Sequence, residues 1–113
     1  MADDGLASPL EIAVDEFAGM RAEGTEHAVL DVREPWEVEL CGFEGAIQVP
    51  LAGLPGRVAE LPKDRPLIVV CHHGQRSLMA ADFLRRAGHQ AARSLSGGVE
   101  AWAVEIDPRM TRY

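Results

Sequence analysis

The sequence predicts a single α/β domain, a central parallel sheet of about five strands with helices on both faces. Three observations carry this expectation. Short apolar runs alternate with stretches of helical period along the chain, the order of strand-helix-strand units joined by right-handed crossovers. Leu67-Ile68-Val69-Val70 is apolar without interruption, as a strand covered on both faces must be. At 113 residues the chain is near the commonest domain size, long enough to bury roughly two thirds of its unfolded surface and too short for a second core.

In chain order, Leu10-Glu11-Ile12 reads as a short first strand. Val14 to Ala22, carrying Phe17, Ala18 and Met20, reads as a helix stopped by Gly24. His27 falls in the connection that follows and reads as a solvated surface histidine. Ala28 to Val32 is a second buried strand, whose exit, Asp31-Val32-Arg33-Glu34-Pro35-Trp36, puts opposite charges at one end of the sheet. Asp31 and Arg33 are candidates there for polar links that hold neighbouring loops, rather than for catalysis. Pro35 suits the first turn of a short helix through Val38.

Ala46 to Val49 makes a third strand ended by Pro50, and Leu51 to Leu61 is a helical stretch divided by Pro55-Gly56. Pro62 to Pro66 is a polar turn before the central strand Leu67–Val70. Beyond that strand Leu78, Ala81, Phe83, Leu84 and Ala87 recur at helical spacing, and Gly88 supplies the stop. Gln90 to Leu95 is the fifth strand, and Gly97-Gly98 opens a last helix through Trp102 to Ile106. The domain is expected over 9–106, with tails at 1–8 and 107–113. The C-terminal tail either frays or lies across the domain as a strap gripped by Ile106, Met110 and Tyr113.

Apolar content of 47% and charged content of 26% are those of a soluble globular protein, which confines expected disorder to the termini. A net charge of −7 disfavours nucleic acid and anionic membrane as partners. No apolar run reaches membrane-spanning length. The acidic start, Met1-Ala2-Asp3-Asp4-Gly5, leads into no long apolar segment and argues against a secretory signal, so a cytoplasmic location is expected. In that compartment Cys41 and Cys71 are expected as free thiols, Cys41 structural or a resolving partner for Cys71. The chain is expected to be a monomer or weak dimer.

Cys71 stands at the carboxyl end of the central strand, the edge at which open α/β sheets bind ligands. The loop Cys71-His72-His73-Gly74-Gln75-Arg76 must curl back before the next helix starts. A curl that tight aims successive N–H groups into its hollow, and the helix N-terminus adds partial positive charge, so the centre attracts anions. Gly74 is best able to take the unusual φ required. A thiol at that focus becomes a nucleophile. Two histidines, a glycine, a glutamine and an arginine are poor core fillers, which argues against Cys71 as a mere buried hydrophobe.

Cysteine, four residues, arginine, set between a buried strand and a helix, resembles the active-site loop of the rhodanese (sulfurtransferase) family. Three further segments resemble that family in order: Leu30-Asp31-Val32-Arg33-Glu34-Pro35, Gly45-Ala46-Ile47-Gln48-Val49-Pro50, and Leu95-Ser96-Gly97-Gly98-Val99-Glu100-Ala101-Trp102. Together they cover most of the chain. The resemblance implies a single rhodanese-like domain that uses no cofactor. It implies a two-step exchange in which Cys71 takes sulfane sulfur from a donor such as thiosulfate, becomes a persulfide, and passes the sulfur to a thiophilic acceptor, cyanide or a thiol. The donor or acceptor can also be a protein. On this reading His72, His73, Gly74, Gln75, Arg76 and Ser77 bind the substrate, with the planar Arg76 fork facing a donor oxyanion. His72 and His73 add charge when protonated or merely shape the entrance.

Two positions depart from the family pattern. His72 stands where thiosulfate-using members often have arginine, and Gly42-Phe43-Glu44 replaces a frequent Gly-His-Ile. The rivals are a phosphatase or arsenate reductase on the same loop, a persulfide carrier with little turnover, and a metal site at Cys71, His72 and His73. Phosphatases of related architecture have one more residue between cysteine and arginine. Adjacent ligands on one short loop strain tetrahedral coordination, so no metal is expected. Inserting one glycine between Gly74 and Gln75 should widen the nest and cost on the order of a hundredfold in sulfur transfer. Thiocyanate formation from cyanide, with folding checked by circular dichroism, tests this; full activity in a folded variant would show that loop length does not set the chemistry.

Overall fold

The computed structural model describes residues 8–113; residues 1–7, most of the expected N-terminal tail, lie outside the described residues. The elements in chain order are β1 (Glu11–Ile12), α1 (Val14–Glu23), β2 (Ala28–Asp31), α2 (Pro35–Leu40) and β3 (Ile47–Gln48). Two 3₁₀ turns follow at Leu51–Gly56 and Val58–Glu60, then β4 (Leu67–Val70), α3 (Gln75–Arg86), β5 (Ala92–Leu95) and α4 (Gly98–Glu105). Among the described residues five strands form one sheet in the order β1-β5-β4-β2-β3, and every pairing is parallel.

The central strand explains its own sequence. Successive side chains of a strand point to opposite faces, and both faces of β4 are covered. Leu67, Val69 and Cys71 pack with Leu30, Val32, Leu54, Ala80, Ala81 and Leu84, the side of α3 and the 3₁₀ turns. Ile68 and Val70 pack with Ile12, Phe17, Val29, Phe43, Val99 and Trp102, the side of α1 and α4. All four β4 residues are buried, each contributing roughly 1.5–3 kcal/mol relative to exposure.

Three expectations shift. The stretch 51–61 divides into two short 3₁₀ turns, but the break falls at Arg57 and not at Pro55-Gly56, which lie inside the first turn. The outer strands are shorter than their apolar runs, pairing only where a neighbour reaches them. The third helix starts at Gln75, not Leu78, so Gln75, Arg76 and Ser77 belong to its first turn. Gly74, at φ 102°, makes the reversal alone and lets the helix begin early.

The strand order sets where the loops meet. From β2 the chain moves outward to β3, whereas from β4 it moves the other way to β5, so the adjacent pair β4 and β2 forms the switch point of the sheet. There the loops leaving the two strands diverge and open a crevice. The loop after β4 carries Cys71, and that after β2 carries Arg33 and α2. A third element closes the crevice: Val99 and Glu100, in the first turn of α4, donate N–H bonds to the carbonyls of Cys71 and His72 at 2.9 and 3.1 Å. Residues 107–113 lie across the domain, with Met110 and Tyr113 packed on the α1/α4 side of the core.

The docking of α4 on the loop requires glycine at 98. A Cβ there would collide with the carbonyl oxygens of Cys71 and His72, and Gly98 sits at φ 63°, unfavourable for side-chain-bearing residues. Gly98→Ala should therefore cost at least about 2 kcal/mol. Gly53→Ala, where a Cβ meets nothing within 4 Å, should stay within about 0.5 kcal/mol. Urea unfolding of both variants checks the contrast; equal stability would show that the loop and α4 can separate without loss.

Candidate active site

Cys71 is 1% exposed, and its sulfur is surrounded by donors. The backbone N–H groups of Gly74 and Ser77 point at Sγ from 3.1 and 3.2 Å. The thiol donates to Ser77 Oγ at 3.4 Å, and Ser77 Oγ is 2.7 Å from Ser94 Oγ on β5. Once the thiol proton is gone, the Ser77 hydroxyl can turn its hydrogen to the sulfur while accepting one from Ser94. The α4 N-terminus draws the Cys71 and His72 carbonyls away. What faces Sγ is N–H, hydroxyl and the positive end of α3, a polar cradle for an anionic sulfur.

Arg76 and Ser77 reach the same site from the first turn of α3, and Arg76, partly exposed, is held by a carboxylate that the sequence did not point to. Its Nη1 and Nη2 donate to Oε1 and Oε2 of Glu37 at 2.7 and 2.9 Å. Glu37 is 3% exposed and fully engaged. Oε1 also accepts from the Glu34 backbone N–H at 3.0 Å, the return half of a capping box at the start of α2. Oε2 accepts from the Tyr113 hydroxyl at 2.8 Å. The Arg76 guanidinium, against the cost of burial, holds the Glu37 carboxyl well below the usual range, at about 2.

Asp31 and Arg33 are bonded to each other at the end of β2. Arg33 is 1% exposed. Its Nε and Nη2 donate to Asp31 Oδ1 and Oδ2 at 2.9 and 2.7 Å, its Nη2 to the Cys41 carbonyl at 2.7 Å and its Nη1 to Tyr113 Oη at 2.9 Å. Burial opposes the charge, but the bonds to Asp31 and Tyr113 outweigh it and keep the group protonated. Burial, with Glu37 accepting from the phenol, pushes Tyr113 up to about 12 against the pull of Arg33. The hydroxyl therefore remains a donor to Glu37.

The histidines divide. His73 is exposed and His72 half-buried, its ring stacked between those of His73 and Tyr113 at 3.9 and 3.8 Å. Burial, then the neighbouring His73, lowers the His72 pKa, which disfavours the charged form of this ring. Gln75 is exposed on the first turn of α3. Among the described residues no group of three or more His, Cys, Asp or Glu could hold a metal ion, and no helix is long and apolar enough to cross a membrane. Cys41 and Cys71 are both free.

Sequence reasoning missed Glu37, Ser94 and the polar role of Tyr113. Glu37 had one local signal, its place three residues after Glu34 at a proline-started helix, but that signal speaks of capping. Ser94 alternates within a strand and looks like any small core residue. Tyr113 was legible only as an apolar grip.

Residues 13–105 match the family described as Rhodanese-like domain. The chain is 36% identical over 89 residues to a sulfurtransferase of Allochromatium vinosum, covering 78% of this chain and 83% of that one. It is 36% identical over 117 residues to the probable adenylyltransferase/sulfurtransferase MoeZ of Mycobacterium tuberculosis, where it spans 30% of the relative's length. Among solved structures, a rhodanese-related protein from Thermoplasma volcanium superposes with a TM-score of 0.77 at 28% identity, over 87% of this chain and 94% of that one.

The Glu37 carboxyl titrates at about 2 in the fold against 4.5 ordinarily. Its depressed value contributes stability that is fully present above pH 4.5 and lost as pH falls toward 2. Urea unfolding of the parent and of Glu37→Gln should differ by about 2 kcal/mol at neutral pH, and the gap should close in acid. A gap that persists unchanged at about pH 3 would show that the carboxylate charge is not what holds α2 to the loop.

Proposed function

Since the chain belongs to the rhodanese-like domain family and its relatives are sulfurtransferases, we propose that Cys71 carries sulfane sulfur, as a persulfide, from a donor such as thiosulfate to a thiophilic acceptor. Cyanide or a thiol would serve as acceptor. The observation that carries this reading is the pair of N–H groups and the hydroxyl converging on Cys71 Sγ at the carboxyl end of β4. That cradle suits a thiolate and, one atom further out, the terminal sulfur of a persulfide.

In the loading step the Cys71 thiolate attacks the outer sulfur of the donor. The bond between the donor's two sulfurs breaks with its electron pair on the inner sulfur, which leaves as sulfite when the donor is thiosulfate. In the second step the acceptor attacks the outer sulfur of the Cys71 persulfide and releases the thiolate. The donor's inner sulfur is reduced as the Cys71 sulfur is oxidised, and the second step reverses the change at Cys71. No outside oxidant is needed. The relative from Mycobacterium tuberculosis is named for adenylyl and sulfur transfer together, which supports a protein as natural sulfur partner.

Mass spectrometry after incubation with thiosulfate or cysteine persulfide should find one added sulfur on Cys71. Cys71→Ser should abolish transfer to cyanide or a thiol, while Cys41→Ser keeps most of it. Equal losses from the two substitutions, or sulfur found on Cys41 alone, would overturn the assignment.

A further inference from the structure

Among the described residues, three arginines around the Cys71 loop are each matched by a carboxylate. Arg76 is paired with Glu37, Arg33 with Asp31 and Arg112 with Glu100. The Arg76–Glu37 pair matters most, since Arg76 is the cation carried by the loop helix itself and its side chain is 34% exposed at the mouth. Glu37 cannot swing away to release it: three other groups, the Arg33-anchored Tyr113 hydroxyl, the Glu34 N–H and the packing of α2, fix the carboxylate where it stands. The mouth offers dipoles to an anion but no surplus positive charge, in a chain of net charge −7.

The two sulfane-sulfur donor classes differ in the charge they bring. Thiosulfate carries two negative charges to the Cys71 thiolate, three in all, and two of them leave on sulfite. A protonated alkyl persulfide, R–S–SH, brings none. The thiolate attacks its outer sulfur, the S–S bond breaks onto the inner sulfur, R–S⁻ leaves, and the proton stays on the transferred sulfur, so one negative charge is present throughout. A site built from dipoles alone solvates one charge far better than three.

We infer that Glu37 is a positioning residue that selects the donor: by claiming the Arg76 fork, it makes the site favour alkyl persulfides over thiosulfate. This rests on the reading of Cys71 as the sulfur carrier. Thiosulfate remains a donor in the assay tube, but a poor one.

The test is the rate of sulfur loading on Cys71, followed by mass spectrometry, for cysteine persulfide, benzenethiosulfonate with its single charge, and thiosulfate. Each rate is divided by that of the same donor with a free small thiol, which removes intrinsic reactivity. In the unmodified protein the normalised rates should fall in that order, with persulfide at least about tenfold above thiosulfate. In Glu37→Gln, which frees Arg76, thiosulfate should gain about tenfold while persulfide moves less than about threefold. A merely structural role would move all three donors together. Thiosulfate fastest in the unmodified protein overturns the inference whether or not the variant folds, and so does a folded variant in which the donors shift equally. Both outcomes leave Cys71 as carrier intact; sulfur on Cys71 from none of the donors overturns that reading and this inference with it.

Discussion

A guanidinium with almost no access to water has to be answered on every side, and Arg33 is the group whose answer organises the crevice. Asp31 takes two of its edges, the Cys41 carbonyl a third and Tyr113 a fourth. These partners come from the end of β2, the end of α2 and the last residue of the chain, so one side chain ties two neighbouring segments to a residue 80 positions further along. Removing one partner from a buried pair typically costs 3–5 kcal/mol, because the remaining charge is stranded. The consequence reaches Cys71 by contact: Arg33 holds the Tyr113 oxygen, Tyr113 holds Glu37, and Glu37 holds Arg76 beside the sulfur. The buried ion pair therefore acts at the site through geometry, without presenting its own charge there.

The site treats anions in two different ways. Ionic charge is cancelled locally, residue by residue, in pairs whose members are mostly shielded. Dipolar charge is left uncancelled and aimed at one atom, through the N–H groups of Gly74 and Ser77 and the α3 terminus. The second arrangement depends on a backbone that cannot relax, and two glycines supply the tolerance it needs. Gly74 makes the reversal at positive φ, and Gly98 lets the α4 amides reach the loop carbonyls that would otherwise compete for the hollow.

Much of this was legible in the sequence because it rests on local pattern. The uninterrupted run Leu67–Val70 fixes a strand covered on both faces, and a cysteine at its end followed by glycine and a helix places a nucleophile at the sheet's edge. The Gly97-Gly98 pair was visible as a motif, though its reason, the collision with two loop carbonyls, required the fold. Long-range polar bonds were not legible. Glu37 and Arg76 are 39 positions apart, Arg33 and Tyr113 80, and no periodicity in either segment points to the other. Hence neither the pairing of Arg76 with Glu37 nor the stacking of His72 on Tyr113 could be read from the sequence. The extent of the 3₁₀ turns was missed for a smaller reason, since apolar spacing alone does not tell one kind of helix from another.

On the proposed chemistry the cancellation of ionic charge has a use beyond choosing the donor. A sulfur carrier has to load and unload, and both ends of the cycle are anions bound at the same atom. An unpaired arginine at the mouth would hold a departing anion such as sulfite as firmly as it drew the donor in, and uniform binding of that kind speeds neither step. Fixed N–H dipoles act only over the sulfur itself, where charge shifts between thiolate and persulfide, and fall away over the next few ångströms. Pairing Arg76 with Glu37 keeps its fork as a steric and hydrogen-bonding wall while withdrawing the long-range attraction. The price is a slower encounter with small anions, which matters least when sulfur arrives on a partner that binds by its own surface.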